Sequence, residues 1–323
     1  MDSTSFPEHL CIDQRSAEES PAFGAIAEQV VYEILSEPKS TLGPEPPLVI
    51  THQQSVGESK VITTTKRASR RRWFSNWETK VLEQSQATVF HQFLPIDKVT
   101  VPARCLTVTT VLPPEESMPF FVSRRKEHHY VVPSHRDYTC LQSDYFVPPT
   151  QVSIVRPTIR QHALEESELE KLGEGHLLFI LGDRAKLSNR DRLIGLACSR
   201  LPQFSKKIIE LSNGKQFEPQ TWRGLLSTSR VVFYLNACPF DWATVALESL
   251  YLGVPTVFLD DNKTLTELLP ENSLGLARFL VEAPTIDRLE QSTLEARAAL
   301  QKAGAFELGH QAQEYRQLYR CLL

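Results

Sequence analysis

The first half of the chain carries short apolar runs set in polar surroundings: HLCID at 9–13, then 47–51, 88–93, 105–112, 130–133 and 151–155. Runs of this length, bounded by Pro, Asp, Ser or charged residues, predict strands. Residues 25–35 have helical spacing of apolar positions and predict a helix after the polar loop RSAEESPAFG. The second half is more regular. It predicts a strand at 176–182 (HLLFILG), a helix at 189–200, a strand at 207–211, a helix at 221–228 and a strand at 230–235. An apolar helix ending at Gly253 follows, then a strand at 256–259 and a helical region over 285–323 broken near Gly304 and Gly309. Strand–helix alternation with short links predicts parallel sheets covered by helices. The polar, acidic segment 157–174 separates the two series as a linker. The predicted fold class is α/β, with two Rossmann-like, doubly wound domains facing a cleft. Residues 1–160 form the first and 161–323 the second, with the last helix packing back on the first.

Composition narrows this little. With 323 residues, 41% hydrophobic and 23% charged, the chain can build two cores. A net charge of −4 and a pI near 6.2 give no overall attraction to nucleic acid or membrane. The six cysteines (Cys11, Cys105, Cys140, Cys198, Cys238, Cys321) show no C-x-x-C pair and no metal-ligand spacing. No run approaches the ~20 apolar residues of a membrane span, and the start has no signal-peptide pattern. The expectation is a reduced, soluble, cytoplasmic protein without a metal.

Chemistry concentrates in CPFDWATVALESLYLGVPTVFLDDN, residues 238–262. Trp242, Val245, Ala246, Leu247, Leu250 and Tyr251 cover more than one helical face, so this helix is buried on most sides. Glu248 interrupts it. A bare carboxylate there would cost several kcal/mol unless paired or turned toward a wet cleft. Asp241, Thr244 and Glu248 share one helical stripe, which reads either as a structural polar seam or as the wall of a binding site. In open parallel sheets ligands sit beyond the carboxyl ends of strands, where helix amides point. The turn after 176–182 holds Gly182, Asp183, Arg184 and Lys186, suited to an anionic, phosphate-bearing ligand or else a solvated loop.

His91, in TVFHQFLP, reads either as a cleft-facing residue at a strand's carboxyl end or as a satisfied core histidine. His128 and His129 lack partners at metal-ligand spacing. Lys66–Trp77, KRASRRRWFSNW, mixes cations and aromatics as anionic membrane surfaces or acceptors require, and equally as a plain exposed face does. Arg124–Lys126 adds a second basic cluster, and nucleic acid is not expected as a partner. Phosphate-loop, dinucleotide-fingerprint and serine-elbow motifs are all absent.

Five segments, in order, carry a resemblance. LCIDQRS with SPAFGAIAEQVVYEIL forms a strand, a glycine-containing loop and a helix. ATVFHQFLPIDKVTVPARCLTVTTVLPPE forms strand, His, loop and strand. HHYVVPSHRDYTCLQSDYFVPPTQVSIVRPTI places a serine after a strand, then a helix and a strand into the linker. LLFILGDRAKLSNRDRLIGLACSRL and VVFYLNACPFDWATVALESLYLGVPTVFLDDNKTLTELL complete the series. In this order they resemble the retaining GT-B glycosyltransferases of family 4 over nearly the whole chain, the last segment most specifically. The resemblance implies a nucleotide-diphosphate sugar bound by the second domain and a glycan, lipid or protein acceptor held by the first. It implies hexose transfer with retention and no metal or further cofactor. Arg184 or Lys186 and helix amides would meet the diphosphate, Glu248 the ribose, and His91 would face the reacting sugar.

Four positions depart from that pattern. The family's donor segment has two Glu with seven residues between them; Glu248 matches the second, while the first position is Phe240, one place before Asp241. The small Gly-rich turn at the helix start reads Asp241-Trp242-Ala243. The diphosphate-holding Arg and Lys are matched only approximately, by Arg184, Lys186 and Arg190. Thr110-Val111 stand where the family carries His-Asp. A second expectation therefore stands beside the first: a GT-B protein that has lost catalysis and serves as a binding or scaffold partner, perhaps of an active glycosyltransferase. Another Rossmann-type nucleotide binder is the third.

Overall fold

The computed structural model describes residues 10–13, 89–93, 106–111, 125–159, 175–181, 189–210, 224–235, 243–269, 275–307 and 310–322. Within them the chain builds two parallel sheets. The first takes β1 (Leu10–Asp13), β2 (Val89–Phe93), β3 (Leu106–Thr110), β4 (His128–Val132) and β5 (Val152–Ile154) in sequential order. Helix α1 (His135–Ser143) joins β4 to β5, and Leu141 packs with Val111, Tyr130, Val132, Val147 and Val152. The predicted helix at 25–35, the apolar run at 47–51, the basic run 66–77 and most of the linker lie outside the described residues.

The second sheet has the order β7 (Lys206–Glu210), β6 (His176–Leu181), β8 (Ser229–Leu235), β9 (Thr256–Phe258). Helix α2 (Arg190–Arg200) follows β6, and α3 (Thr244–Tyr251) follows β8. Leu177, Phe179 and Leu181, with Val231, Phe233 and Leu235, pack on Ile194 and Ala197 of α2 and on Leu276 and Phe279 of α5 (Leu276–Glu282). The alternate residues Leu178, Ile180, Val232 and Tyr234 face Ala246, Leu247 and Leu250 of α3 and Ala296 and Leu300 of α6 (Ile286–Lys302). Helices thus cover both faces, which is why β6 reads as a continuous apolar run instead of an alternating one.

Two short helices, α4 (Lys263–Leu268) and α5, were not legible in the apolar pattern. Neither is long enough to show a helical period, although Asn262 supplies a cap by accepting from the Leu265 amide at 2.9 Å. Glycine matters at two places. Gly253 closes α3 with a φ of 75°, and a Cβ at Gly175 would lie 2.7 Å from the carbonyl of Thr228.

The final helix, α7 (His310–Leu322), packs on the first sheet. The Tyr315 hydroxyl bonds Thr110 Oγ1 at 2.7 Å, and the Tyr319 hydroxyl bonds His91 Nδ1. Beside them the Ile159 amide donates to the Ala305 carbonyl at 3.2 Å, and the Arg156 amide to Glu314 at 2.9 Å. No helix of the described residues is long and apolar enough to cross a membrane.

Candidate functional site

The strand order of the second sheet reverses at β6: the chain moves outward to β7, then returns to the other side as β8. The carboxyl ends of β6 and β8, paired at Leu181 and Leu235, therefore flank a topological switch point. Helix α3 follows β8 in the chain. Six of its eight residues are buried: Thr244, Ala246, Leu247, Glu248, Ser249 and Leu250. Thr244 is 9% exposed and Glu248 2%, so both side chains lie within the fold. Ser249 takes a separate structural role, bonding Thr256 at 2.7 Å and the Ala246 carbonyl at 2.8 Å.

The turn into α3 is unusual. Ala243, its N-cap, has φ 51° and ψ 15°, the left-handed region, and has no side-chain oxygen with which to cap the helix. A non-glycine residue there is strained by about 1–2 kcal/mol. Burial holds it in place, since Ala243 is 1% exposed and belongs to the core beneath α3.

Gly182, Arg184, Lys186 and Asp241 lie outside the described residues. Arg190 opens α2, and its Nη1 is 2.8 Å from Glu210 Oε1 at the end of β7, with Asp191 3.4 Å from its Nε. Hydrogen bonding to Glu210 raises its already high pKa. This guanidinium is engaged by its own domain.

The sequence leaves His91 open to two readings, cleft-facing or core. Strand β2 continues two residues past it, and the imidazole sits mid-strand and fully buried. Nε2 bonds Thr110 Oγ1 at 2.7 Å, and Nδ1 meets the Tyr319 hydroxyl. Burial lowers its pKa to about 3, so the ring is neutral. A neutral ring has one donor and one acceptor. The four groups Tyr315, Thr110, His91 and Tyr319 therefore form one buried chain, whose direction depends on the tautomer. Thr110 and Val111, at the place of the family's His-Asp, are both fully buried, the first in this chain and the second in the core of the first sheet.

Two more histidines are structural. His128 Nε2 bonds Thr109 at 2.7 Å, and His129 Nε2 bonds Ser153 at 2.9 Å. Each pKa is lowered to about 4, chiefly by burial, with Arg125 and then His129 adding to the effect at His128. Among the described residues, no three His, Cys, Asp or Glu side chains gather as metal ligands.

The sequence reading missed Glu267. From α4 in the second domain its carboxylate accepts the His135 amide at 2.8 and 3.0 Å and the Arg136 amide at 3.4 Å, at the start of α1 in the first. The next amide, Asp137, is held locally by Ser134 Oγ at 3.1 Å, while that hydroxyl donates back to Asp137 at 2.6 Å. The signal for the local half, a Ser followed three residues later by an acid, was present in PSHRD.

No protein-family profile matches the chain. No curated protein sequence matches it. Solved structures do. A glycosyltransferase from Rickettsia africae ESF-5 superposes with a TM-score of 0.63 at 10% identity, covering 97% of each chain. Anabaena Alr3699/HepE in complex with UDP-glucose gives 0.62 at 12% identity, covering 96% of this chain and 98% of that one. A putative UDP-N-acetylglucosamine 2-epimerase from Listeria monocytogenes gives 0.52 at 12%, covering 95% and 94%. The fold is therefore of the GT-B class, two α/β domains built on parallel sheets and facing a cleft.

Proposed function

We propose that this chain binds a nucleotide-diphosphate sugar at the carboxyl edge of its second sheet and transfers the hexose, with retention and without a metal, to an acceptor held by the first domain. The observation that carries the reading is the position of Glu248. It lies on the buried helix that opens at the β6/β8 switch point, where a ribose would meet it. The helix amides after Ala243, with Arg184 or Lys186 of the preceding turn, would receive the diphosphate. The first probe is UDP-glucose, the ligand of the Anabaena structure. Isothermal titration and a thermal-shift series should give saturable binding and a rise in melting temperature with concentration. Absence of binding to UDP-, GDP-, ADP- and CDP-sugars would overturn it.

A second reading rests on two observations: Arg190 is engaged by Glu210, and His91 is fully buried. They favour a donor-binding GT-B protein without transfer, serving as a partner of an active enzyme. Binding without turnover of the sugar onto any glycan or lipid acceptor decides for it.

A further inference from the structure

Helix α1 receives its first N-terminal cap contacts from the other domain. The leading amides of an α-helix have no partner inside the helix and must find one elsewhere. The amides of residues 135 to 138 each have a named partner. The Tyr138 amide enters the helical ladder by donating to the Ser134 carbonyl at 2.9 Å, and the Asp137 amide donates to Ser134 Oγ. The two preceding amides, His135 and Arg136, donate to Glu267 on α4, more than 130 positions away.

We infer that Glu267 is a clasp between the two domains: its carboxylate holds the closed arrangement by capping α1, and release of that cap accompanies their separation. Three features support a contact that opens and closes. All of its residues, His135, Arg136 and Glu267, are exposed, so water can replace each partner when the domains part. A carboxylate at a helix N-terminus is favoured by both the amides and the helix dipole, enough to bias an equilibrium without locking it. The local cap through Ser134 and Asp137 is buried and independent of Glu267, so α1 remains a helix when the clasp is open. The inference rests on these hydrogen bonds and stands apart from the donor-site reading.

The test is residue-level hydrogen exchange on the full chain, beside small-angle scattering. In Glu267→Ala, exchange at His135 and Arg136 should rise tenfold or more while Asp137 and Tyr138 stay within about twofold of wild type, and the radius of gyration should increase. Glu267→Gln should fall between. Glu282→Gln, a charge control on α5, should leave all four amides unchanged. As a measurement that needs no variant, raising salt from 0.05 to 1 M in wild type should speed the same two amides, because screening weakens exposed charge contacts. Unchanged exchange at His135 and Arg136, a uniform rise across α1 and β4, or unchanged scattering with the two amides released would each overturn the clasp.

Discussion

Thr110 at the end of β3 and Tyr315 on α7 share a hydrogen bond of 2.7 Å across 205 positions of sequence. It is one link of the buried chain that also contains His91 and Tyr319, and it fastens α7 to the first sheet. Removing the Tyr315 hydroxyl (Tyr315→Phe) should cost about 1 kcal/mol, and Tyr319→Phe about 1–3 kcal/mol because it strips a bond from a fully buried ring. Since the hydroxyls act through one chain, the double variant should deviate from additivity by about 0.5 kcal/mol or more in urea unfolding. Strict additivity would show two independent contacts.

Acid should weaken the fold. His91, His128 and His129 have pKa values of about 3, 4 and 4 in the folded chain, against 6.5 when unfolded. Between those values the unfolded chain binds more protons. Stability is therefore greatest above pH 6.5 and declines as pH falls toward 4, by up to about 1.4 kcal/mol per pH unit for each histidine. Urea midpoints measured from pH 7.5 to 4.5 check this, and His129→Asn should reduce the slope. A flat profile would contradict neutral burial of the three rings.

Glu248→Gln separates a ligand role from a structural one. As a ribose anchor it should lose about tenfold or more in UDP-glucose affinity while the melting temperature barely moves, because a charge-assisted hydrogen bond becomes a neutral one. As a structural carboxylate it should instead destabilise the ligand-free protein by about 3–5 kcal/mol.

Two left-handed residues, Ala243 and Phe146, should depart from ordinary substitution rules in the same direction. Ala243→Gly relieves strain at φ 51° and should change stability by less than about 1 kcal/mol, whereas Ala246→Gly, inside the same helix and fully buried, should cost about 1 kcal/mol or more. Phe146, with φ 56° and 84% exposed, packs little, so Phe146→Asn should stabilise by about 1 kcal/mol. Chemical unfolding of the three variants checks the ordering.

Should the acceptor be a lipid, the basic and aromatic run 66–77 is the segment to test. Sedimentation with acidic liposomes should occur at low salt, weaken sharply by 0.5 M, and be abolished by replacing Arg70, Arg71 and Arg72 with Glu. No sedimentation at low salt would remove the membrane as a partner of this run.

The sequence by itself determined the class of the fold and most of its strands. Runs such as HLLFIL and RVVFYL are apolar at successive positions, and only a parallel sheet covered on both faces buries them. It also placed Glu248 in a buried helix, since the apolar residues around it fill more than one face. Tertiary structure alone decided where the polar groups went. Nothing near His91 in the chain announces that Tyr319, 228 positions later, closes over its ring. Helix α1 shows its local cap in sequence, but Glu267 reaches it from another domain. Ala243 looks like an ordinary helix former, and only its place in the core beneath α3 holds its positive φ. Apolar periodicity is a local property that neighbouring residues record, whereas a hydrogen-bond partner is selected by proximity in space, which the order of residues does not carry.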